Sequence, residues 1–172
     1  QELFGERHPR TATSFNEVGN AYSRLGNNKL SLEYLEKAIE IYRGLFGERH
    51  PHTATALNNA ANTYGSLGDY KRNLEYAEKA IKLGREILGD KHPRIILWVG
   101  NLILLLANIG RRPEAFQLLE EFLSQLPKDH IHYDGLKKLE HNLLAKTIRP
   151  GFRQPSGKSR GRKGKGKKNK RR

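Results

Sequence analysis

The sequence predicts an all-α solenoid, with helix pairs stacked along one axis, closed by a further helix and followed by a basic tail. Three observations predict it. A segment recurs at 42-residue steps, as "LFGERHPRTAT" (3–13), "LFGERHPHTAT" (45–55) and, more divergent, "ILGDKHPRII" (87–96). Between the recurrences, apolar residues fall three or four apart in two runs per copy, the spacing of one helix face. Gly and Pro return at constant offsets, where helix stops and starts belong. A period of this length marks a stacked repeat, in which no unit buries its apolar face alone.

Taken in order, residues 1–8 read as the last turn of a helix from a preceding copy. Upstream repeats are therefore expected in the parent chain, as is an N-terminal end open to self-association. The chain has no Met, not even at position 1, which agrees with a start lying upstream. The first full copy, about 9–50, places Phe15, Val18, Tyr22 and Leu25 on one stripe and Leu32, Leu35, Ala38, Ile39 and Tyr42 on a second. Copy two runs over about 51–92 and copy three over 93–130. Gly26, Gly68 and Gly110 sit between the halves, where a left-handed residue ends a helix at least cost. Gly5, Gly47 and Gly89 end each second helix, and Pro9, Pro51 and Pro93 suit the first turn of the next. The His before each Pro reads as an N-cap. These histidines cannot share one ion, because zinc ligands lie about 2 Å from the metal and packed helices are roughly 8–10 Å apart.

Behind copy three, "YDGLKKLEHNLLAKTI" (133–148) sets Leu136, Leu139, Leu143, Leu144 and Ile148 on one stripe, with Lys137, Lys138, Glu140 and His141 outside. Residues 131–148 are thus expected to form a capping helix.

These residues resemble the tetratricopeptide repeat family, in the 42-residue form of kinesin light chains and nephrocystin-like proteins. Copy one carries the pattern in Phe15, Val18, Gly19, Tyr22, Gly26, Ser31, Leu35 and Ala38. Copy two carries it in Leu57, Ala60, Ala61, Tyr64, Gly68, Ala77 and Ala80, with Asn73 where a small residue is usual. Copy three keeps Val99, Leu102, Gly110, Ala115, Leu119 and Pro127, and departs at Ile103 and Phe122, where the family has small residues. The resemblance implies a right-handed superhelix that holds a peptide segment of a partner protein in its concave groove. It places Thr13, Asn16, Glu17, Asn20 and Arg24 on that face. Copy two adds Thr55, Asn58, Asn59, Asn62 and Ser66, and copy three adds Leu97, Gly100, Asn101, Leu104 and Asn108.

The candidate groove residues are therefore Asn16, Asn20, Asn58, Asn59, Asn62, Leu97, Asn101 and Leu104. An Asn amide offers two donors and an acceptor, which pair with a peptide backbone whatever its sequence. The alternative is that the asparagines are solvated, or bond between adjacent helices. The family's groove for a free terminal carboxylate needs bases beside its asparagines. Asn16, Asn20, Asn58, Gly100 and Leu104 stand there instead, nearer to the internal segments that kinesin light chains take. Leu97 and Leu104 offer an apolar end, open to an anchor side chain or covered by the chain itself.

The net charge of +14 belongs to the tail. Residues 149–172 hold twelve of the 32 Lys and Arg and no acid, leaving twenty bases against eighteen acids in the body. The run "GFRQPSGKSRGRKGKGKKNKRR" (151–172) lacks the apolar residues to fold alone, so a disordered tail is expected. Arg160, Arg162, Lys163, Lys165, Lys167, Lys168, Lys170, Arg171 and Arg172 are its candidate anion-binding residues. Nucleic acid or a ribosome, and a nuclear import receptor, are the partners this composition fits. The alternative function is a nucleic-acid- or ribosome-associated factor whose tail is the main binding element, and the alternative for the tail itself is a merely solvated extension. Phe152 alone could stack on a base, which argues against sequence-specific reading of RNA. The expected location is cytoplasmic, or nuclear through the tail.

Enzymatic function is the weakest reading. With no Cys in the chain, thiol catalysis and Cys-ligated metals are excluded. No nucleophile or paired carboxylate accompanies His52, His130, His132 or His141, and no cofactor or metal is expected. The apolar run "IILWVGNLILLLANIG" (95–110) is too short to span a membrane.

Overall fold

The computed structural model describes residues 7–147, which form α-helices joined by short turns. They are α1 (Pro9–Arg24), α2 (Asn28–Phe46), α3 (Pro51–Ser66), α4 (Tyr70–Leu88), α5 (Pro93–Asn108), α6 (Arg112–Gln125) and α7 (Tyr133–Thr147). Each helix packs on its successor, and α1 also touches α3. The odd-numbered helices form one layer, the inner one of a right-handed superhelix, and the even-numbered helices form the other. No helix among the described residues is long and apolar enough to cross a membrane. The tail residues Arg160 to Arg172, and Ile148, lie outside the described residues.

The joints are built from the recurring sequence. Pro9, Pro51 and Pro93 open α1, α3 and α5, and His8, His50 and His92 precede them as N-caps. Nδ1 of each His accepts the backbone N–H two residues on, at 3.1, 3.3 and 3.2 Å. Asn27 and Asp69 cap α2 and α4 through their side-chain oxygens. Gly47 and Gly89 end α2 and α4 with φ 80°, ψ −179° and φ 82°, ψ 159°. That region is open essentially to glycine alone, so these stops tolerate no other residue without strain.

The core runs continuously through the pairs, from Ala12, Leu35 and Ala38 through Leu57, Ala60 and Ala80 to Val99, Leu119 and Leu136. Close approach sets its composition. A Cβ added at Gly19 would lie 2.7 Å from Leu35 Cγ, so α1 and α2 meet at a distance only glycine allows. Copy two replaces the small residue of copy one by Asn73, and Gly65 opposite makes the room: a Cβ there would meet Asn73 Nδ2. A larger exchange occurs between α4 and α5. Copy one has Tyr42 at the end of its second helix and Ala56 in the helix that follows, both buried. One repeat on, the same positions hold Gly84 and Trp98, with the large residue moved across the joint. A Cβ on Gly84 would fall 2.8 Å from Trp98 Cζ3 and 2.5 Å from Ile95 Cδ1.

Three apolar residues of the expected stripes are exposed. Val18 is 36% and Leu25 80% exposed. No described helix stacks on the outer side of α1, and Leu25 is the C-cap residue, already leaving the helix. The face of α1 that packs runs instead through Ala12 and Gly19. In α7, Leu136 and Leu143 are buried and Leu139 partly so, while Leu144 is 42% exposed because one helix face cannot hold both 143 and 144. Ile103 and Phe122, the large residues of copy three, are both buried. The Arg85 guanidinium lies 4.7 Å from the centre of the Phe122 ring.

Gly84→Ala is expected to destabilise by about 1–3 kcal/mol through overpacking, outweighing the roughly 1 kcal/mol gained in helix propensity. Trp98→Ala is expected to cost about 3–5 kcal/mol. Urea melts of the two single variants and the double variant should give a combined loss smaller than the sum, because both act on one contact.

Candidate functional site

The inner layer carries the candidate groove residues on α1, α3 and α5. Its polar part is an interhelical ladder. Asn59 of α3 donates through Nδ2 to Asn16 Oδ1 of α1, at 3.0 Å. Thr13 and Thr55, one repeat apart, donate to the Pro9 and Pro51 carbonyls at 3.0 and 2.9 Å. Each also accepts from another helix: Thr13 from the Tyr42 hydroxyl at 3.1 Å, and Thr55 from Arg94 Nη1 at 3.2 Å. Burial pushes the Tyr42 phenol above its ordinary pKa, partly opposed by the bond to Thr13. Asn16 and Asn59 are half-buried and partly spent on each other. Each still has polar capacity left, since an Asn side chain can make up to four hydrogen bonds.

The other asparagines differ. Asn62 and Asn101 are exposed and Asn20 is half-buried. Asn58 corrects the expectation: at 7% exposure it points into the α3 packing and presents no open surface to a peptide. The cause is helical phase. Asn58 follows Leu57 and stands four residues after Ala54, both buried, whereas Asn59 and Asn62 share the open face three apart.

At the far end, Leu97 and Leu104 are 53% and 46% exposed. They line an open groove of about 330 Å³ between α5 and α7, with Ile96, Gly100, Leu136 and Leu139. The α7 wall is not among the sequence-predicted site residues. The stripe pattern places Leu136 and Leu139 on the buried face of the cap, yet with His132 and Asn142 they recur every three or four residues along the groove. That spacing is the signal by which the wall could be found. Gly100 deepens the groove, for a Cβ there would reach Leu136 Cδ2 only at 4.0 Å.

The outer layer has clefts of its own, one of about 560 Å³ with Ile81, Val99, Leu102 and Leu118 in its lining. Charged pairs also line these clefts, Arg43 with Glu48 at 2.9 Å and Arg85 with Asp90 at 3.1 Å. Tyr64, between the layers, donates to Glu36 Oε1 at 3.0 Å. Burial and then that bond push its phenol well above the ordinary range, so it is neutral at working pH. Among the described residues no three His, Asp or Glu converge as a metal site. His130 and His132 lie 5.8 Å apart between ring centres, and His130 Nδ1 accepts the His132 backbone N–H at 3.2 Å. His52 is part of a ring stack, 5.2 Å from Tyr42.

Residues 1–43 and 10–83 match the family model of the tetratricopeptide repeat. Among solved structures, the chain is similar to a kinesin-light-chain-type protein of Podosopora anserina with nearly identical TPR-like repeats. The identity is 20%, the match covers 81% of this chain and 68% of that one, and the TM-score is 0.68. A point variant of that protein matches at 22% identity, 83% and 78% coverage and TM-score 0.63. BtubC (BKLC) from P. vanneervenii matches at 18% identity, 91% and 72% coverage and TM-score 0.68. At these identities the likeness carries the fold alone. No curated protein matches the sequence.

The ladder separates the asparagines by cost. Asn16→Ala is expected to destabilise by about 0.5–1.5 kcal/mol, the net worth of one hydrogen bond. Asn62→Ala, which breaks no side-chain bond between helices, is expected to stay within about 0.5 kcal/mol of the parent. Chemical denaturation of the two variants checks the difference.

Proposed function

We propose that the chain, with its tetratricopeptide-repeat fold, is a scaffold for protein–protein interaction that holds an internal peptide segment of a partner along its inner layer. One observation carries this. Exposed amides of Asn62 and Asn101 and the partly open Asn20 lie on the same layer as the open Leu97–Leu104 groove. The amides suit a peptide backbone, and the groove suits one aliphatic or aromatic anchor. The ladder bonds hold the helices that present them, so the face is formed before a ligand arrives and less ordering entropy opposes binding. This reading needs no catalytic group, cofactor or metal.

A peptide library selected on the parent chain is expected to enrich segments sharing one apolar anchor. Leu104→Asp is expected to weaken the selected peptides at least about tenfold, a loss of roughly 1.4 kcal/mol, with melting unchanged because Leu104 is half in solvent. Equal binding by Leu104→Asp, Asn62→Ala and the parent would remove the groove from consideration.

The tail supports a second, compatible activity. Twelve bases without an acid in 149–172 suit a phosphate polymer or an import receptor, and would place the protein in the nucleus as well as the cytoplasm. Full engagement with a single strand would give log K a slope of about −8 against log salt. A chain ending at Thr147 is expected to lose nucleic-acid binding entirely and to keep the selected peptides.

A further inference from the structure

Four histidines make the same hydrogen bond at four joints. Nδ1 of His8, His50, His92 and His130 accepts the backbone N–H of Arg10, His52, Arg94 and His132, at 3.1 to 3.3 Å. A ring nitrogen accepts only while it carries no proton, so the proton of each neutral ring sits on Nε2. At His130 that Nε2 lies 3.2 Å from the Lys91 carbonyl oxygen, to which it donates, tying the entry to α7 to the joint before α5.

The distribution of these caps is not even. His8, His50 and His92 start α1, α3 and α5, and His130 precedes α7, so every one serves the inner layer. In the outer layer Asn27 caps α2, Asp69 caps α4, and α6 has no side-chain cap. Neither Asn nor an ionised Asp changes charge between pH 5 and 8, whereas histidine does.

We infer that the histidine joints form an acid-sensitive device acting on the inner layer alone: below neutral pH, protonation withdraws the caps from α1, α3, α5 and the entry to α7, while α2 and α4 keep theirs. A protonated ring also becomes a cation at the positive end of a helix dipole.

The surroundings oppose that cation at His50. Arg7 and Arg10 neighbour His8 in sequence, and Asp90, Lys91 and Arg94 neighbour His92. His50 follows Arg49 and lies 5.1 Å from the His52 ring and 4.2 Å from Phe46, with the neutral Tyr42 phenol behind His52. The nearby acids are engaged elsewhere: Glu48 with Arg43, Asp90 with Arg85, and Glu86 of α4 with Arg49, at 2.9, 3.1 and 3.0 Å. At His130 the charged and titratable neighbours in sequence are Lys128, Asp129, His132 and Asp134. Burial, and then His52, lower the pKa of His50 below its ordinary 6.5. The unfolded chain therefore takes up this proton before the folded one. The His50 contribution is complete above pH 6.5 and is lost as pH falls through 6.5 toward the folded value.

Hydrogen exchange of the full chain at pH 7.5 and 5.5, corrected for intrinsic rates, reads the two layers separately. Expected at pH 5.5 is a loss of about tenfold or more in protection of the first turns of α1, α3 and α5, with those of α2 and α4 unchanged, and a Tm lower by about 5 °C. A variant with His8→Asn, His50→Asn, His92→Asn and His130→Asn caps without titrating and is expected to show neither change. Equal loss in both layers overturns the inference, as does an Asn variant that follows the parent's pH curve. If the fourfold variant fails to fold, His50→Asn alone is expected to preserve α3 and leave α1 and α5 sensitive, and no difference at α3 overturns it. No ligand enters the experiment, so its result is independent of the groove reading.

Discussion

How near one helix can come to the next governs most of this structure. A helix pair of about forty residues cannot bury its apolar stripe by itself, so each pair leans on its successor. The allowed distance is set by a few small residues at the crossings. Gly19 against Leu35, Gly65 against Asn73 and Gly84 against Trp98 are all places where one methyl group would collide. Because interiors are close-packed and yield little, each such collision must be met by a shift of the neighbouring side chain or helix. The layers, the ladder between Asn16 and Asn59 and the groove between α5 and α7 all presuppose these approaches.

The same constraint separates the two faces. On the outer layer, charged side chains line the clefts beside apolar residues such as Ile81 and Leu118 and pair with one another, as Arg43 does with Glu48 and Arg85 with Asp90. On the inner layer the spaces are lined by amides, hydroxyls and, at one end, leucines. A surface of half-used amides beside an unfilled apolar groove keeps both hydrogen-bonding capacity and area available, which is the combination that an extended chain needs.

Much of the architecture is legible in the sequence because punctuation is local. The Gly stops, Pro starts and His caps depend on residues within a turn of one another, and the 42-residue period exposes them three times over. Burial is less legible because it depends on what lies across the gap. Val18 and Leu25 fit a helical stripe yet face solvent, and Leu144 loses its place to Leu143. Asn58 looks equivalent to its neighbour Asn59, but the two differ by a rotation that only the packing of Leu57 and Ala54 reveals. The α7 wall of the groove escapes notice for the opposite reason: its leucines look like core, and two of them serve a surface as well. The role of the tail residues lies outside the described chain and rests on composition.

The exchange of bulk across successive joints gives the array a direction of assembly. Tyr42 precedes a helix bearing Ala56, and Gly84 precedes one bearing Trp98. The two couples fill similar volumes, but their halves do not mix. Placing the second pair after itself would set Gly84 against Ala56 and leave a void, while following the first pair with the third would drive Tyr42 into Trp98. The copies resemble one another enough to look interchangeable, yet each carries a key cut for the next. Duplication, deletion or shuffling of single units, an easy route of change for repeat proteins, is thereby closed at these joints unless both sides change together.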